Sequence, residues 1–457
     1  MKLKKSQLII SIAILLILVG IFNIVIPFDN LKRNNFLVQV TFFLNGFVWT
    51  ALLINEVKKR AFSLSFMHWM FCLLFFFFAA VVQYSNDKFP WINYRSDDVL
   101  LYANLILLLW TIGVLLGQHI RIFSFFEIKK NLIKEVDVSR YFKLSFTILV
   151  FIVVWRIFNI GFWNLLARST STYSMSENAS IAMLLQHSMD AIAYFSALFC
   201  ILSIKSTKKS IIYSILTFIV LLIGYPPTGL ARYKAAAIFM GIFLSTSKFL
   251  KTTRAFVLIF LAGFIVILPF LNAFRVMTFE NVSFVQIFNN VMSNMANLWL
   301  AGDYDAYTML TLAIDYIANH GITYGYQFVG ALLFWVPRQI WTSKPVGSGA
   351  EIAESLGWHF TNLSCPLPAE GLINYSLIGV LVFAILIGTL IGFFDRLYWE
   401  KPLEINRINI IYPVVVVFFF FVNRGDLLSS AAYMTAFIVV GVVYIKLVSL
   451  FNKIRIQ

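Results

Sequence analysis

Apolar runs of membrane-spanning length recur along almost the whole chain. A helix needs about 20 apolar residues to cross the roughly 30 Å hydrocarbon core of a bilayer, and only helices or closed barrels satisfy their backbone hydrogen bonds there. The sequence therefore predicts an all-α, polytopic membrane protein with about twelve transmembrane helices. The predicted spans are 7–27, 36–56, 64–84, 99–118, 144–162, 181–204, 210–225, 230–247, 255–271, 372–394, 408–422 and 427–447.

Composition and charge agree with a membrane protein and argue against a nucleic-acid-binding one. Hydrophobic residues make up 60% of the chain, charged residues only 12%, and the mean hydropathy is +0.84, which exceeds what a soluble core requires. The net charge of +15 comes without a long basic run, since Lys and Arg follow the predicted span boundaries. The first apolar run follows Lys2, Lys4 and Lys5 without a small-residue cleavage site, so we interpret it as an uncleaved first helix.

The alternation of basic loops predicts the orientation. If the chain starts in the cytoplasm, 24 of the 36 basic residues fall in inner segments, and each inner segment carries at least three. Cytoplasmic loops carry the excess of Lys and Arg. The pattern predicts a multi-pass protein of the cell inner (cytoplasmic) membrane with both termini in the cytoplasm.

The chain is predicted to form a single integral membrane domain, 1–457, with one large periplasmic or extracellular loop, 272–371. Loops of that length usually contain structure of their own. Residues 303–319 have helical periodicity, with Thr308, Asp315 and Asn319 predicted to face away from the apolar stripe, and Gly321 ends the pattern. Phe328 to Val336 is apolar but too short to span, which is typical of an interfacial or re-entrant segment.

Several basic residues break the alternation and gather on the predicted outer face. Arg232 and Lys234 follow the Pro226–Pro227 break at the start of a helix, and both helix N-termini and guanidinium groups favour phosphate oxygens. Taken singly, each cation is equally well explained as an interfacial side chain or an ion-pair partner, and Arg424 has Asp426 nearby. Together they predict a site for an anionic ligand near the outer leaflet. Its candidate residues are Arg232, Lys234, Arg275, Arg338, Lys344 and Arg424, with Arg156 inside a span.

Acidic residues of the same region are candidates for acid–base chemistry. Asp303 and Asp305 open the predicted loop helix, where they suit the helix dipole as well as a chemical role. Glu370 precedes the span near Leu372, where partial desolvation suits a general base but an ordinary helix N-terminal acid also fits. Runners-up are Glu351, Glu354 and His359. The scattered His and Cys residues indicate no metal site.

Three segments resemble the O-antigen polymerase (Wzy) and oligosaccharide repeat-unit polymerase family. They are Gly302–Tyr307, Phe334–Pro345 with its Pro-Arg-x-x-Trp-x-x-Lys-Pro string, and Ala369–Gly371 followed by Asn374–Gly379. Thr228–Arg232 and Asn272–Arg275 are similar to that family's outer-face arginine motifs. Arg338 and Gly349 also match the Arg-x10-Gly spacing of some polymerase loops. Thr342 departs from the family pattern, in which many members have Pro.

The resemblance implies a GT-C-like, metal-independent membrane glycosyltransferase without a cofactor. It would polymerise undecaprenyl-pyrophosphate-linked oligosaccharide repeat units into an O-antigen or capsule-type polysaccharide at the outer face of the membrane, with a chain-length regulator protein as a partner. Pyrophosphate contacts are then expected from Arg232, Arg275 and Arg338, assisted by Lys234 and Lys344. Asp305 or Glu370 would be the general base, and Tyr304, Tyr307, Trp335 and Trp341 would stack on sugars.

Two alternatives remain at this stage. An O-antigen ligase shares the predicted topology and the arginine-plus-loop plan, so the sequence separates it poorly from a polymerase. A lipid-linked oligosaccharide flippase belongs to a different class and should place charged residues near the bilayer centre. In this sequence Arg156 is the clear example of such a residue.

Overall fold

The computed structural model describes residues 33–121, 126–166, 168, 179–267, 270–271, 285 and 298–454. Within these residues every named element is a helix, and the only β structure is two isolated bridges. The α-helices are α1 Phe36–Lys59, α2 Leu64–Phe71, α3 Ala79–Asn86, α4 Asp97–His119, α5 Phe126–Leu132, α6 Phe142–Ile160, α7 Phe162–Leu165, α8 Ala179–Ser206, α9 Ile211–Gly224, α10 Arg232–Thr246, α11 Lys248–Thr252, α12 Ala255–Ala262, α13 Ala306–His320, α14 Tyr326–Leu332, α15 Ser348–Ser355, α16 Leu367–Glu400, α17 Arg407–Arg424 and α18 Leu427–Ile454.

Nine helical segments in the described part of the chain are long and apolar enough to cross a membrane, which confirms a polytopic helical membrane protein. They are Phe36–Lys59, Leu64–Asn86, Asp97–His119, Phe142–Ile160, Ala182–Ser206, Ile211–Gly229, Leu367–Glu400, Arg407–Arg424 and Leu427–Leu450. These segments match nine of the twelve predicted spans.

The other three predicted spans have different outcomes. The span 7–27 lies outside the described residues. The span 230–247 corresponds to α10, which has only 15 residues, from Arg232 to Thr246. That is shorter than a bilayer crossing requires. The span 255–271 is helical from Ala255 to Ile267, and residues 268–269 lie outside the described part.

The chain divides into two compact units. Unit 1 comprises the described parts of Met1–Ser124, Ala296–Arg396 and Phe419–Ala432. Unit 2 comprises the described parts of Phe125–Met295, Leu397–Phe418 and Tyr433–Gln457. The assignment of 1–457 to a single domain stays a prediction.

Unit 1 is built around the segment Leu64–Asn86, which is buried along its whole spanning window. Its centre is a π-helical stretch, Cys72–Phe78, whose seven side chains are all buried. Phe75 stacks on Tyr304 with ring centroids 5.0 Å apart, so the residues that precede the loop helix pack on this core. Aromatic pairs of this kind add to the stabilisation that comes from burial itself.

The helix predicted within the loop is α13, and Gly321 ends it with a φ of +79°. The orientation predicted for Thr308 is wrong. Thr308 is fully buried and its hydroxyl donates to Gln83 Oε1 at 3.4 Å. Helix α13 packs against α3, α4 and the π-helical stretch, so the side of the helix that carries Thr308 is buried.

Helix α16 contains a sharp reversal that determines where Glu370 lies. Tyr375 and Ser376 have non-helical dihedral angles, so the short helix before them folds back on the long one that follows. A Cβ on Gly379 would lie 2.0 Å from the carbonyl oxygen of Gly371, so only glycine permits this close approach. Asn374 holds the turn by donating to Glu370 O and accepting from Phe328 N at 3.0 Å.

In unit 2, helices α6, α8 and α9 pack against one another and α10 packs on α8. Large apolar side chains cover the exposed faces of these helices. Phe158 is 88% exposed and Ile211 72% exposed. In a helix that crosses a bilayer, such faces contact lipid tails rather than water.

Candidate functional site

The structure distributes the predicted site residues over both units. Asp303, Asp305, Arg338, Lys344, Glu370 and Arg424 belong to unit 1, and Arg232 and Lys234 belong to unit 2. Arg275 lies outside the described residues. We describe each unit's cluster separately.

Asp305 is a buried carboxylate with every oxygen hydrogen-bonded. It precedes α13 and is 1% exposed. Oδ1 accepts from Ser364 Oγ at 2.6 Å and from Arg424 Nη2 at 3.0 Å, and Oδ2 accepts from Trp91 Nε1 at 3.0 Å. Arg424 therefore has its ion pair with Asp305 and not with Asp426, the neighbour that the sequence suggested. Two residues predicted for different roles are partners of one another.

Glu370 occupies a second buried position in unit 1. Its Oε2 accepts from Ser348 Oγ at 2.6 Å and its Oε1 from Leu427 N at 2.8 Å. Leu427 N belongs to the first residue of α18, so Glu370 also caps that helix from outside, which satisfies one of its unpaired N–H groups.

Asp426 lies directly before Leu427 and completes what we call the acid cluster: Asp305, Glu370, Asp426 and Arg424. Its carboxylate accepts from Gly349 N at 3.3 Å and Ser429 N at 3.2 Å. Burial raises the pKa of Asp426 above its usual value. Burial also raises the pKa of the neighbouring Cys365 thiol, and the charges of the three acids raise it further.

The sequence did not predict Asp426 as a functional residue. The available signal was an acid in the four-residue turn between the predicted spans 408–422 and 427–447. The donors Ser348 and Ser364 gave no signal, because they are 22 and 59 residues from the carboxylates that they contact.

Arg338 and Lys344 are bonded within their own loop. Arg338 donates to the carbonyls of Lys344 and Pro345. Lys344 is buried, and its ammonium donates to Phe334 O at 2.7 Å and Val336 O at 3.0 Å. Burial, and then the charge of Arg338, lower the pKa of Lys344. The Pro-Arg-x-x-Trp-x-x-Lys-Pro string thus stabilises a loop, and its pyrophosphate role stays a prediction.

Unit 2 contains what we call the cation cluster: Arg156, His187, Asp190 and Lys234. Asp190 is 1% exposed, with Lys234 Nζ at 2.9 Å and Arg156 Nη1 at 3.3 Å from its two oxygens. Arg156 Nε also donates to Gly224 O at 3.0 Å, and its guanidinium lies 4.2 Å from the centroid of the Tyr225 ring. Two cations therefore surround a single buried acid.

The cluster has an aromatic side. The rings of His187 and Tyr433 have centroids 3.9 Å apart, and Tyr433 stacks nearly parallel on Tyr233 at 5.4 Å. Tyr233 lies between Arg232 and Lys234 at the start of α10, so the segment that follows the Pro226–Pro227 break supplies both cationic and aromatic groups. The three rings therefore form one packed aromatic group beside Lys234 and Asp190.

Asp190 was missed although the sequence carried the signal. It lies inside the predicted span 181–204, and a charge within a span is the feature that singled out Arg156. The pairing of Asp190 with Lys234, 44 residues away, could not be inferred from the spacing of the two residues in the sequence.

Within the described residues, no group of three or more His, Cys, Asp or Glu side chains is positioned to hold a metal ion. No protein-family model, no curated protein and no solved structure matches the chain. The resemblance to repeat-unit polymerases therefore stays a prediction carried by the motifs alone.

Proposed function

We propose that this protein is a metal-independent membrane glycosyltransferase that polymerises undecaprenyl-pyrophosphate-linked repeat units at the outer face of the cytoplasmic membrane. The twelve-span, GT-C-like architecture with cytoplasmic termini belongs to the same proposal. The single observation that carries it is the surplus positive charge of the cation cluster. Lys234 of this cluster comes from the helix that follows the Pro226–Pro227 break.

The charge balance of this cluster supports an anionic ligand. Among the described residues, Asp190 is the one carboxylate paired with both Arg156 and Lys234, and a buried charge without a partner is unfavourable. A pyrophosphate oxygen that approaches Lys234 and Arg156 would supply the missing negative charge. Preorganised cations also stabilise the charge that develops on the leaving pyrophosphate during glycosyl transfer.

The general base of this reaction stays the sequence-based prediction, Asp305 or Glu370, and the two carboxylates are compared within unit 1 alone. Asp305 is paired with Arg424 at 3.0 Å, so its carboxylate already has a cationic partner. Within the described residues, Glu370 accepts from Ser348 and Leu427 N without an ion-pair partner, and it shares its surroundings with Asp426, so we place it first. It would accept the proton of the acceptor sugar hydroxyl while that oxygen attacks the anomeric carbon and the carrier pyrophosphate leaves.

The test is an assay of purified protein in nanodiscs with a synthetic undecaprenyl-pyrophosphate-linked repeat unit. The wild type is expected to form a polymer ladder, and Lys234→Gln to slow its formation by about tenfold or more, since a charge-assisted hydrogen bond to phosphate contributes roughly 1.5–3 kcal/mol. Lys88→Gln is the matched control, because Lys88 is an exposed lysine of a segment also predicted to be outside. An unchanged ladder in well-folded Lys234→Gln protein contradicts the proposal.

A flippase is the second candidate, and the cation cluster is also the observation that favours it. Arg156 and Asp190 both lie within candidate spans, where transporters place their substrate-binding charges. Purified protein reconstituted into vesicles with the lipid-linked repeat distinguishes the two functions. Movement of a labelled lipid-linked repeat between leaflets, without elongation, identifies a flippase, whereas elongation identifies a polymerase.

A further inference from the structure

A cavity of about 240 Å³ lies at the end of unit 2 that the lysine distribution predicts to be cytoplasmic. We call it the basic pocket. Lys205 comes from the end of α8, Thr246 from the end of α10, Lys248 and Lys251 from α11, and Asn409 from the first turn of α17. None of these residues belongs to the clusters described above.

The walls of the basic pocket are fixed by local hydrogen bonds. The Ser247 side chain caps α11 by accepting from Leu250 N at 3.2 Å. Asn409 N donates to Asn406 Oδ1 at 2.9 Å, and the preceding loop is anchored by Val136 N, which donates to Ile405 O at 2.9 Å. The pocket is thus a built feature of the fold.

The charges of the pocket are unbalanced. Among the described residues, no carboxylate lies within 4.0 Å of the Lys205, Lys248 or Lys251 ammonium groups. Glu404, the one acid in the lining, pairs with Lys401 at 2.9 Å. Burial, and then the charge of Lys205, lower the pKa of Lys251 to about 8, so its surroundings in the protein disfavour the charged form. A bound anion would reverse that penalty.

Asn409 adds a second, independent requirement. Its Nδ2 donates to Lys401 O at 2.6 Å and Glu404 O at 2.8 Å, while its Oδ1 is buried without any hydrogen-bond partner. A buried acceptor without a donor is unfavourable by about 1–3 kcal/mol. A ligand that only neutralised the lysines would leave this oxygen unsatisfied, whereas a ligand hydroxyl would satisfy it.

We propose that the basic pocket binds a phosphate ester that also carries a hydroxyl group, with the phosphate on Lys248 and Lys251 and the hydroxyl donating to Asn409 Oδ1. The ligand is either the headgroup of an anionic phospholipid such as phosphatidylglycerol or a soluble phosphorylated polyol. The pocket is smaller than the roughly 300–1,000 Å³ of sites for drug-sized ligands, which suits a headgroup-sized molecule.

The experiment measures the thermal unfolding of the full-length protein in two arms. The lipid arm compares nanodiscs of phosphatidylcholine alone with nanodiscs that contain phosphatidylglycerol. The soluble arm titrates glycerol 3-phosphate, and glycerol as its control, into phosphatidylcholine nanodiscs. We expect stabilisation of the wild type in one arm, and which arm responds identifies the source of the phosphate.

Lys251→Gln should lower the affinity for the phosphate ligand, as the shift in unfolding temperature reports it, by about tenfold or more. Lys251→Arg should retain most of that affinity. Lys130→Gln, a change at an exposed lysine of α5 that is also predicted to be cytoplasmic, should behave as the wild type. If neither arm stabilises the wild type, the proposal is overturned without recourse to a variant. The proposal is equally overturned if Lys130→Gln reduces the stabilisation by the ligand as much as Lys251→Gln does.

Discussion

The acid cluster of unit 1 and the cation cluster of unit 2 differ in how completely the polypeptide itself satisfies them. In the acid cluster, Glu370 and Asp305 accept hydrogen bonds on both carboxylate oxygens from Ser, Trp, Arg and backbone donors. In the cation cluster, the single carboxylate of Asp190 pairs with two cations, Arg156 and Lys234. The carboxylate oxygens of Asp305 and Glu370 thus all have donors, although Arg424 Nε is buried without a hydrogen-bond partner. Among the described residues, the cation cluster has two cations for one carboxylate, so it retains a positive charge that a ligand can use.

This difference separates two kinds of buried charge. A carboxylate surrounded by donors holds helices and loops in position, and it takes part in chemistry only when a proton has to move. A surplus cation contributes little to the fold by itself, since burial of a charge is unfavourable unless it is paired. The cation cluster is therefore the better candidate for ligand binding and the acid cluster the better candidate for positioning and proton transfer.

The largest expected effect is that of Asp190→Asn. The change leaves Arg156 and Lys234 facing each other without a carboxylate, and removal of one partner of a buried pair destabilises by about 3–5 kcal/mol. We expect loss of a monodisperse, cooperatively unfolding protein after extraction from membranes.

Asp315→Asn is the matched control for this change. Asp315 pairs with Arg95, but its side chain is 36% exposed, and exposed pairs contribute only about 0–1 kcal/mol. Equal stability losses in the two variants would remove the distinction between the cation cluster and an ordinary ion pair.

Glu370→Gln tests whether the acid cluster does more than support the fold. The amide oxygen can still accept from Leu427 N, but the side chain no longer accepts a proton. If Glu370 is the general base, turnover in the polymer assay should fall by about 10²–10⁴-fold while the unfolding temperature changes little. Asp305→Asn serves for comparison, because it breaks the ion pair with Arg424 and should lower stability as well as activity. Normal turnover in Glu370→Gln protein would restrict the acid cluster to a structural role.

The smallest effect concerns pH and Asp426. Because burial raises the folded-state pKa of Asp426, the folded protein binds its proton more tightly than the unfolded chain does. Its contribution to stability is therefore fully present below the unfolded pKa of about 3.9 and is lost as pH rises through the folded value. Asp426→Asn mimics the protonated form and should flatten this dependence.

The measurement is the unfolding temperature of the wild type and the variant from about pH 4 to pH 7, with Asp137→Asn as the control. Hydrogen bonds from Ser139 lower the pKa of Asp137, so its variant should not flatten the curve. Glu370 and Cys365 share the surroundings of Asp426, so the change in Asp426→Asn includes the effect of the lost charge on these two neighbours. Parallel curves for the wild type and Asp426→Asn would show that this carboxylate titrates normally.

The sequence by itself determined the features that depend on local hydropathy and periodicity. It gave the helical membrane class, nine spans that the structure confirms, and the loop helix that ends at Gly321. It also singled out Arg156 and Lys234, because a charge near an apolar run is recognisable without knowledge of its partner.

Only the tertiary structure decided which charges meet. Arg424 lies beside Asp305 across 119 residues of sequence, Lys234 beside Asp190 across 44, and Lys344 turns back onto carbonyls of its own loop. Pairing at such separations depends on how helices pack and where the chain reverses, as at Tyr375 and Ser376. Hydropathy sets where a helix crosses the membrane, but it carries no information on which face of one helix opposes which face of another.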